Sequence, residues 1–113
     1  MARVNRSVLD WSKPSSDTVF AGGAGNRLTA ALSVTAFGLS AAANIDVGVN
    51  TTAFGRNALT FSTGNSNTAV GSSAGASVTT GANNNFIGTL SGRSCTTGSS
   101  NTAVGNQALD SVT

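Results

Sequence analysis

Glycine recurs along this chain at a nearly fixed step, and that step constrains everything else about it. Gly38, Gly55, Gly71, Gly88 and Gly105 are spaced by 17, 16, 17 and 17 residues. Each closes a short block: Thr35-Ala36-Phe37-Gly38, Thr52-Ala53-Phe54-Gly55, Thr68-Ala69-Val70-Gly71, Asn85-Phe86-Ile87-Gly88 and Thr102-Ala103-Val104-Gly105. A unit this short cannot bury an apolar face of its own and must stack on copies of itself. The chain therefore reads as a rod of stacked units, not as a globule around a pocket.

Other positions keep the same step. Phe37, Phe54, Val70, Ile87 and Val104 form an apolar column, and Ala41, Ala58, Ala74, Ser91 and Ala108 a column of small residues. Gly48, Gly64, Gly81 and Gly98 form a second glycine column, and Asn50, Asn67, Asn84 and Asn101, each 17 apart, an asparagine column. The register slips by one residue near Thr51 and again between Leu59 and Gly64, the kind of change that bulges and turn variants absorb. Helical repeats run to about 33 residues or more because each needs two helices. Gly, Asn, Thr and Ser are also poor helix formers. The expected fold is all-β, a β-solenoid or β-roll of ~17-residue coils built from two or three short strands, with glycines supplying positive φ at the corners. Asn67, Asn84 and Asn101 are expected to hydrogen-bond along the stack, as asparagine ladders do. Four to five coils at a spacing of about 4.8 Å make a rod only about 20–24 Å long.

Residues 1–34 differ in character. They carry Trp11, the single proline Pro14, and two of the four aspartates, Asp10 and Asp17. The expectation is an extended N-terminal arm or irregular anchor, with one helical turn over 7–11 that Pro14 stops. Such arms order against a partner, and Arg3, Val4, Arg6, Val8, Leu9 and Trp11 are the docking candidates. Trp11 leads because tryptophan dominates interface hot spots; the alternative is that it packs on its own oligomer. Residues 21–34 read equally as a short helix over 27–32 or as a degenerate first coil, since Thr18-Val19-Phe20-Ala21-Gly22 echoes the repeat. Two units result: an anchor and transition over 1–34, and repeats over 35–113. The last block, Ala108 to Thr113, stops mid-unit. Open strand edges are a liability, so the repeats are expected to continue in a longer gene product or to meet a capping partner.

Each coil offers about one large apolar residue, and the positions of Leu59 and Leu109 are held by Gly75 and Gly92 in the coils between. An interior this thin does not offset chain entropy. A homotrimer, with coils facing a shared axis, is the expected remedy.

Composition removes most chemistry. The chain has no His, no Glu and no Tyr, so the usual general acid–base groups are scarce. Asp10, Asp17, Asp46 and Asp110 form no paired or metal-binding pattern. Cys95 stands alone, which excludes an internal disulfide and points to synthesis in a reducing compartment. No cofactor, metal site or enzymatic activity is expected. Six cationic residues and a net charge of +2 give no basic stripe with interleaved aromatics, so no nucleic-acid partner is expected. No apolar run approaches a membrane span or signal peptide.

The Asn-Thr-Ala-Val-Gly blocks at 67–71 and 101–105, followed by Asn57-Ala58-Leu59 or Gln107-Ala108-Leu109 and by the Thr-Thr-Gly of 79–81 and 96–98, resemble repeats of bacteriophage tail-fibre and related virion proteins. They are also similar to the head repeats of trimeric autotransporter adhesins, which are shorter. The resemblance covers roughly residues 35–113. It implies a homotrimeric β-roll or β-solenoid: the N-terminal, tail-attached portion of a phage tail fibre, made in the host cytoplasm and located in the virion. Its arm would dock on tail or adaptor proteins, and host attachment would fall to a part beyond residue 113. A surface adhesin of autotransporter type, a capsid decoration or connector protein, and an ice-binding solenoid using Thr63, Thr80 and Thr97 are the alternatives.

Overall fold

The computed structural model describes residues 9–10, 18–20, 33–45 and 49–111. Seven short strands lie in one sheet in chain order: β1 (Leu9–Asp10), β2 (Thr18–Phe20), β3 (Thr35–Phe37), β4 (Thr52–Phe54), β5 (Thr68–Val70), β6 (Asn85–Ile87) and β7 (Thr102–Val104). From β2 to β7 all pairs are parallel, Thr18 beside Thr35, Thr35 beside Thr52, Thr52 beside Thr68, Thr68 beside Asn85 and Asn85 beside Thr102. The strands from β3 onward begin 17, 16, 17 and 17 residues apart, so about four coils of a β-solenoid separate β3 from β7. β1 alone is antiparallel, with Leu9 opposite Phe20 and Asp10 opposite Val19.

Leu9–Asp10 is thus strand, in place of the helical turn expected over 7–11. Pairing with β2 satisfies backbone groups that a single isolated turn would leave largely unpaired. The parallel ladder also begins at Thr18–Phe20, inside the segment set apart as anchor and transition. The alternative helix over 27–32 lies outside the described residues.

Each strand from β3 to β7 is three residues long because a glycine follows it at φ 125–136, a conformation that side-chain-bearing residues rarely adopt. One further column mixes Ala42, Leu59 and Leu109 with Gly75 and Gly92 at φ 46–62, and two others hold no glycine. Ser40, Asn57, Ser73, Leu90 and Gln107 stand at φ 59–62, and Ser33, Asn50, Ser66, Asn83 and Ser100 at φ 56–62, one column past each strand and one just before the next. A left-handed non-glycine residue costs about 1 kcal/mol or more. What holds it is hydrogen bonding between coils, repeated with little variation: Asn57 N donates to Leu39 O at 2.9 Å, Ser73 N to Arg56 O at 2.7 Å, Leu90 N to Ser72 O at 2.9 Å and Gln107 N to Thr89 O at 2.8 Å.

The second glycine column has a different cause from the expected one. Gly64 and Gly81 are not left-handed. A Cβ on Gly81 would collide with Gly98 O and stand 3.1 Å from Asn84 Nδ2. Successive coils approach too closely there for any side chain.

The interior is lined by the middle residue of each strand: Ala36, Ala53, Ala69, Phe86 and Ala103, all buried. Side chains alternate across a strand, so the large neighbours Phe37, Phe54, Val70, Ile87 and Val104 point outward. Ala41, Ala58 and Ala74 are buried in the same cluster together with Ile45, Val78 and Cys95, and Ser91 is buried as well. Phe86 is the exception among the alanines, and it is balanced locally. A Cβ on Gly75 would stand 2.9 Å from both Leu59 Cδ2 and Phe86 Cδ2, and one on Gly92 would overlap the Phe86 ring. The gaps opposite Gly75 and Gly92 are therefore filled from the strand, and the core there is not the thin one the leucine-to-glycine exchange implied.

Among the described residues, one buried hydroxyl is unsatisfied. Thr51 Oγ1 is fully enclosed and has no hydrogen-bond partner. A buried unpaired hydroxyl costs about 1–3 kcal/mol, and the equivalent position one coil earlier is Val34, also buried. Thr51→Val is expected to raise stability by about 1 kcal/mol, read as an upward shift of the thermal midpoint. A fall would mean that the hydroxyl has a partner in solution.

Candidate functional site

Two features follow the rod axis, one on the surface from β3 to β7 and one in the interior over the last three rungs. On the outer face of the sheet, Phe37, Phe54, Val70, Ile87 and Val104 follow one another rung by rung in strand register. Each is between 38% and 67% exposed, although all are large and apolar. The Phe37 and Phe54 rings stack in parallel, with centroids 4.9 Å apart and planes at 4°. Leu39 and Phe61 are exposed as well. On the same strand face the two-residue alternation adds Thr35, Thr52 and Thr68, half-buried, beside the apolar column. No charge interrupts the column itself. An ion pair, Arg93 to Asp110, lies on the turns, with Nε to Oδ1 at 2.7 Å and Nη2 to Oδ2 at 3.1 Å, and links two successive coils.

Inside the rod, asparagine forms a continuous ladder. Asn67 Oδ1 accepts from Asn84 N at 3.0 Å and from Asn84 Nδ2 at 3.2 Å. Asn84 Oδ1 accepts from Asn101 N at 2.9 Å and Asn101 Nδ2 at 3.0 Å. The amides also donate sideways: Asn67 Nδ2 to Ser62 Oγ, Gly64 O and Gly81 O, and Asn84 Nδ2 to Gly98 O at 2.8 Å. Asn67 and Asn84 are fully buried, and these bonds are what allow a primary amide to sit there.

Asn50 is not in this ladder. The coil between Thr52 and Thr68 is one residue short, so the residue that stacks against Asn67 is Thr51. Asn50 falls one place earlier, exposed and left-handed, in the column of Ser66 and Asn83. An identical 17-residue interval in sequence hid a shift of one position in space.

Of the docking candidates, Leu9 lies in β1 opposite Phe20. Arg3, Val4, Arg6, Val8 and Trp11 lie outside the described residues. Cys95 is buried, its Sγ 3.8 Å from Gly98 O and 3.6 Å from Asn101 Nδ2. It serves as a small core residue at the end of the asparagine ladder. Among the described residues no three His, Cys, Asp or Glu side chains converge on a common point, and no helix is long and apolar enough to cross a membrane.

The geometry defines an all-β repeat of the parallel β-solenoid class, with one apolar outer face. No protein-family model, curated protein or solved structure matches the chain.

Proposed function

We propose that this chain is a structural rod: the tail-attached portion of a trimeric virion fibre, in which three solenoids pack side by side through their outward apolar columns. The observation that carries the reading is the unbroken exposed column Phe37, Phe54, Val70, Ile87 and Val104. Contiguous apolar surface of this kind on a soluble chain marks an interaction site. It is linear, parallel to the rod axis and identical in kind at every rung, so its natural complement is the same column on another copy. Packing it against copies of itself removes the rings and aliphatic groups from water at a favourable ~25 cal/mol per Å². Closed symmetry keeps such an interface finite. A fibre needs stiffness and length and no reaction, and the repeat supplies both. The virion assignment rests on the repeat resemblance, and the non-enzymatic character on the scarcity of acid–base side chains.

Analytical ultracentrifugation of the chain at micromolar concentration tests the association. The expected mass is three times that of the 11.1 kDa chain. Phe54→Ser with Val70→Ser, both exposed in the single chain, is expected to shift the mass towards monomer while the far-ultraviolet circular dichroism is kept. A well-behaved wild-type monomer would overturn the lateral assembly. Antibody labelling of purified particles then tests the location: label along the tail fibres is expected, and unlabelled particles would count against the fibre.

A further inference from the structure

The interior amide ladder does not bridge every step of the stack. At the step from β5 to β6, Asn84 Oδ1 accepts from Asn101 N at 2.9 Å and from Asn101 Nδ2 at 3.0 Å, and Asn84 Nδ2 donates to Gly98 O at 2.8 Å. The step from β4 to β5 repeats all three bonds. Asn67 Oδ1 accepts from Asn84 N and Nδ2, and Asn67 Nδ2 donates to Gly81 O at 2.7 Å. At the step from β3 to β4 the rung is missing. Its place, immediately before the strand, is held by Thr51. The Thr51 hydroxyl is fully enclosed and makes no hydrogen bond, so it gives Asn67 N no acceptor.

Backbone pairing still closes this step. Gly55 N donates to Phe37 O at 2.8 Å, Asn57 N to Leu39 O at 2.9 Å and Ala42 N to Ala58 O at 2.9 Å. The Phe37 and Phe54 rings stack across it, but on the outer face, where they are 43% and 46% exposed and only part of each ring is hidden. We propose that the step from β3 to β4 is a hinge, which opens as a unit while the two amide-bridged steps after it stay shut. Opening here breaks no amide rung, whereas opening either later step strands a buried primary amide that has its full set of partners. Opening here also brings water to the Thr51 hydroxyl and so removes a desolvation penalty that the closed state carries. Proteins open locally along such low-cost boundaries, in contiguous units. The rod can therefore bend at one rung with the strand ladder intact on either side.

Native-state hydrogen exchange of the full chain, read residue by residue by nuclear magnetic resonance at one protein concentration, tests this. The amides of Ala42, Gly55 and Asn57 bond across the proposed hinge, and those of Gly75, Gly88 and Leu90 bond across the step bridged by Asn84 and Asn101. The first set is expected to exchange at least about tenfold faster than the second. Thr51→Asn supplies the missing rung, with Oδ1 towards Asn67 N and Nδ2 towards Gly64 O, and is expected to bring the two sets within about threefold of each other. Simple fraying from a chain end would not respond to that substitution. Asn84→Thr copies the hinge one place along, and is expected to raise the exchange of Gly75, Gly88 and Leu90 relative to that of Ala42, Gly55 and Asn57. Equal exchange of the two sets in the wild type overturns the proposal, as does a difference that Thr51→Asn leaves in place. If Thr51→Asn fails to fold by circular dichroism, Asn84→Thr decides, and a ratio between the two sets unchanged from wild type overturns the hinge.

Discussion

Phe86→Ala is expected to destabilise the rod by about 3–5 kcal/mol, the range for deleting a fully buried phenyl ring. That is a large share of the 5–15 kcal/mol that holds a typical domain together. The site cannot collapse to relieve the loss, because the positions facing the ring are glycines. Gly75 and Gly92 both abut it, and the backbone around them is fixed by hydrogen bonds to the neighbouring coils. The same geometry predicts a rescue. Two other coils pair an inward alanine with a leucine six residues on, Ala53 with Leu59 and Ala103 with Leu109. Leu59 and Leu109 take φ of 46 and 54, close to the 62 of Gly92, so the backbone at 92 already suits a leucine. Phe86→Ala combined with Gly92→Leu is expected to recover at least about half of the loss, whereas Gly92→Leu alone drives a side chain into the ring and destabilises by more than ~1 kcal/mol. Thermal or urea unfolding of the four chains at one protein concentration reads all of this, the concentration being held because any oligomer couples to stability. A double variant no more stable than Phe86→Ala would mean that the two positions do not share one volume.

That exchange marks the boundary between what the sequence discloses and what it hides. The strands were legible because each Thr-Ala-apolar-Gly block recurs at one step, and the ladder of Asn67, Asn84 and Asn101 because an amide repeated at an inward position has few stable arrangements other than bonding to its copies. The facing of the strands was not. A strand of three residues has only one inward side chain, so two-residue alternation has almost no length over which to reveal itself, and the larger residue of Ala36-Phe37 or Ala53-Phe54 invites an inward assignment. The coincidence of Phe86 with Gly75 and Gly92 carried the signal, since the one strand with a large middle residue packs against the two positions where glycine stands in place of leucine. Asn50 was misplaced because the one-residue deletion falls after it in the chain, and equal spacing in sequence stopped meaning equal position. The serine, asparagine and leucine residues at positive φ were not readable from residue type, because hydrogen bonding between coils sets those conformations and local preference does not. β1 had no periodic signal at all: it stands outside the repeat and runs against it.

Asn84 is where the interior ladder is most exposed to a single change. Asn84→Ala leaves Asn101 N without its side-chain acceptor and Gly98 O without its donor, both half-buried beside the fully buried Asn84 side chain. The expected cost is about 2–4 kcal/mol, one to two buried groups left unpaired. Asn84→Asp is nearly isosteric and separates shape from hydrogen-bond polarity. The Oδ2 that replaces Nδ2 would face Asn67 Oδ1 and Gly98 O, both acceptors, so the carboxyl group is tolerated only while it carries a proton. Burial and two facing acceptors push its folded-state pKa above the ordinary value of about 3.9. Between that unfolded value and the raised folded one, the native state holds a proton that the unfolded state has released, and stability falls as pH rises through this window. Below about pH 3.9 both states are protonated and the variant should approach the wild type; above the folded pKa it should stay flat at its lowest stability. Unfolding midpoints of the wild type and Asn84→Asp, measured from about pH 3 to about pH 8, are therefore expected to diverge as pH increases. Parallel curves would mean that residue 84 reaches water, and that backbone pairing alone, without the amide ladder, holds the coils in register.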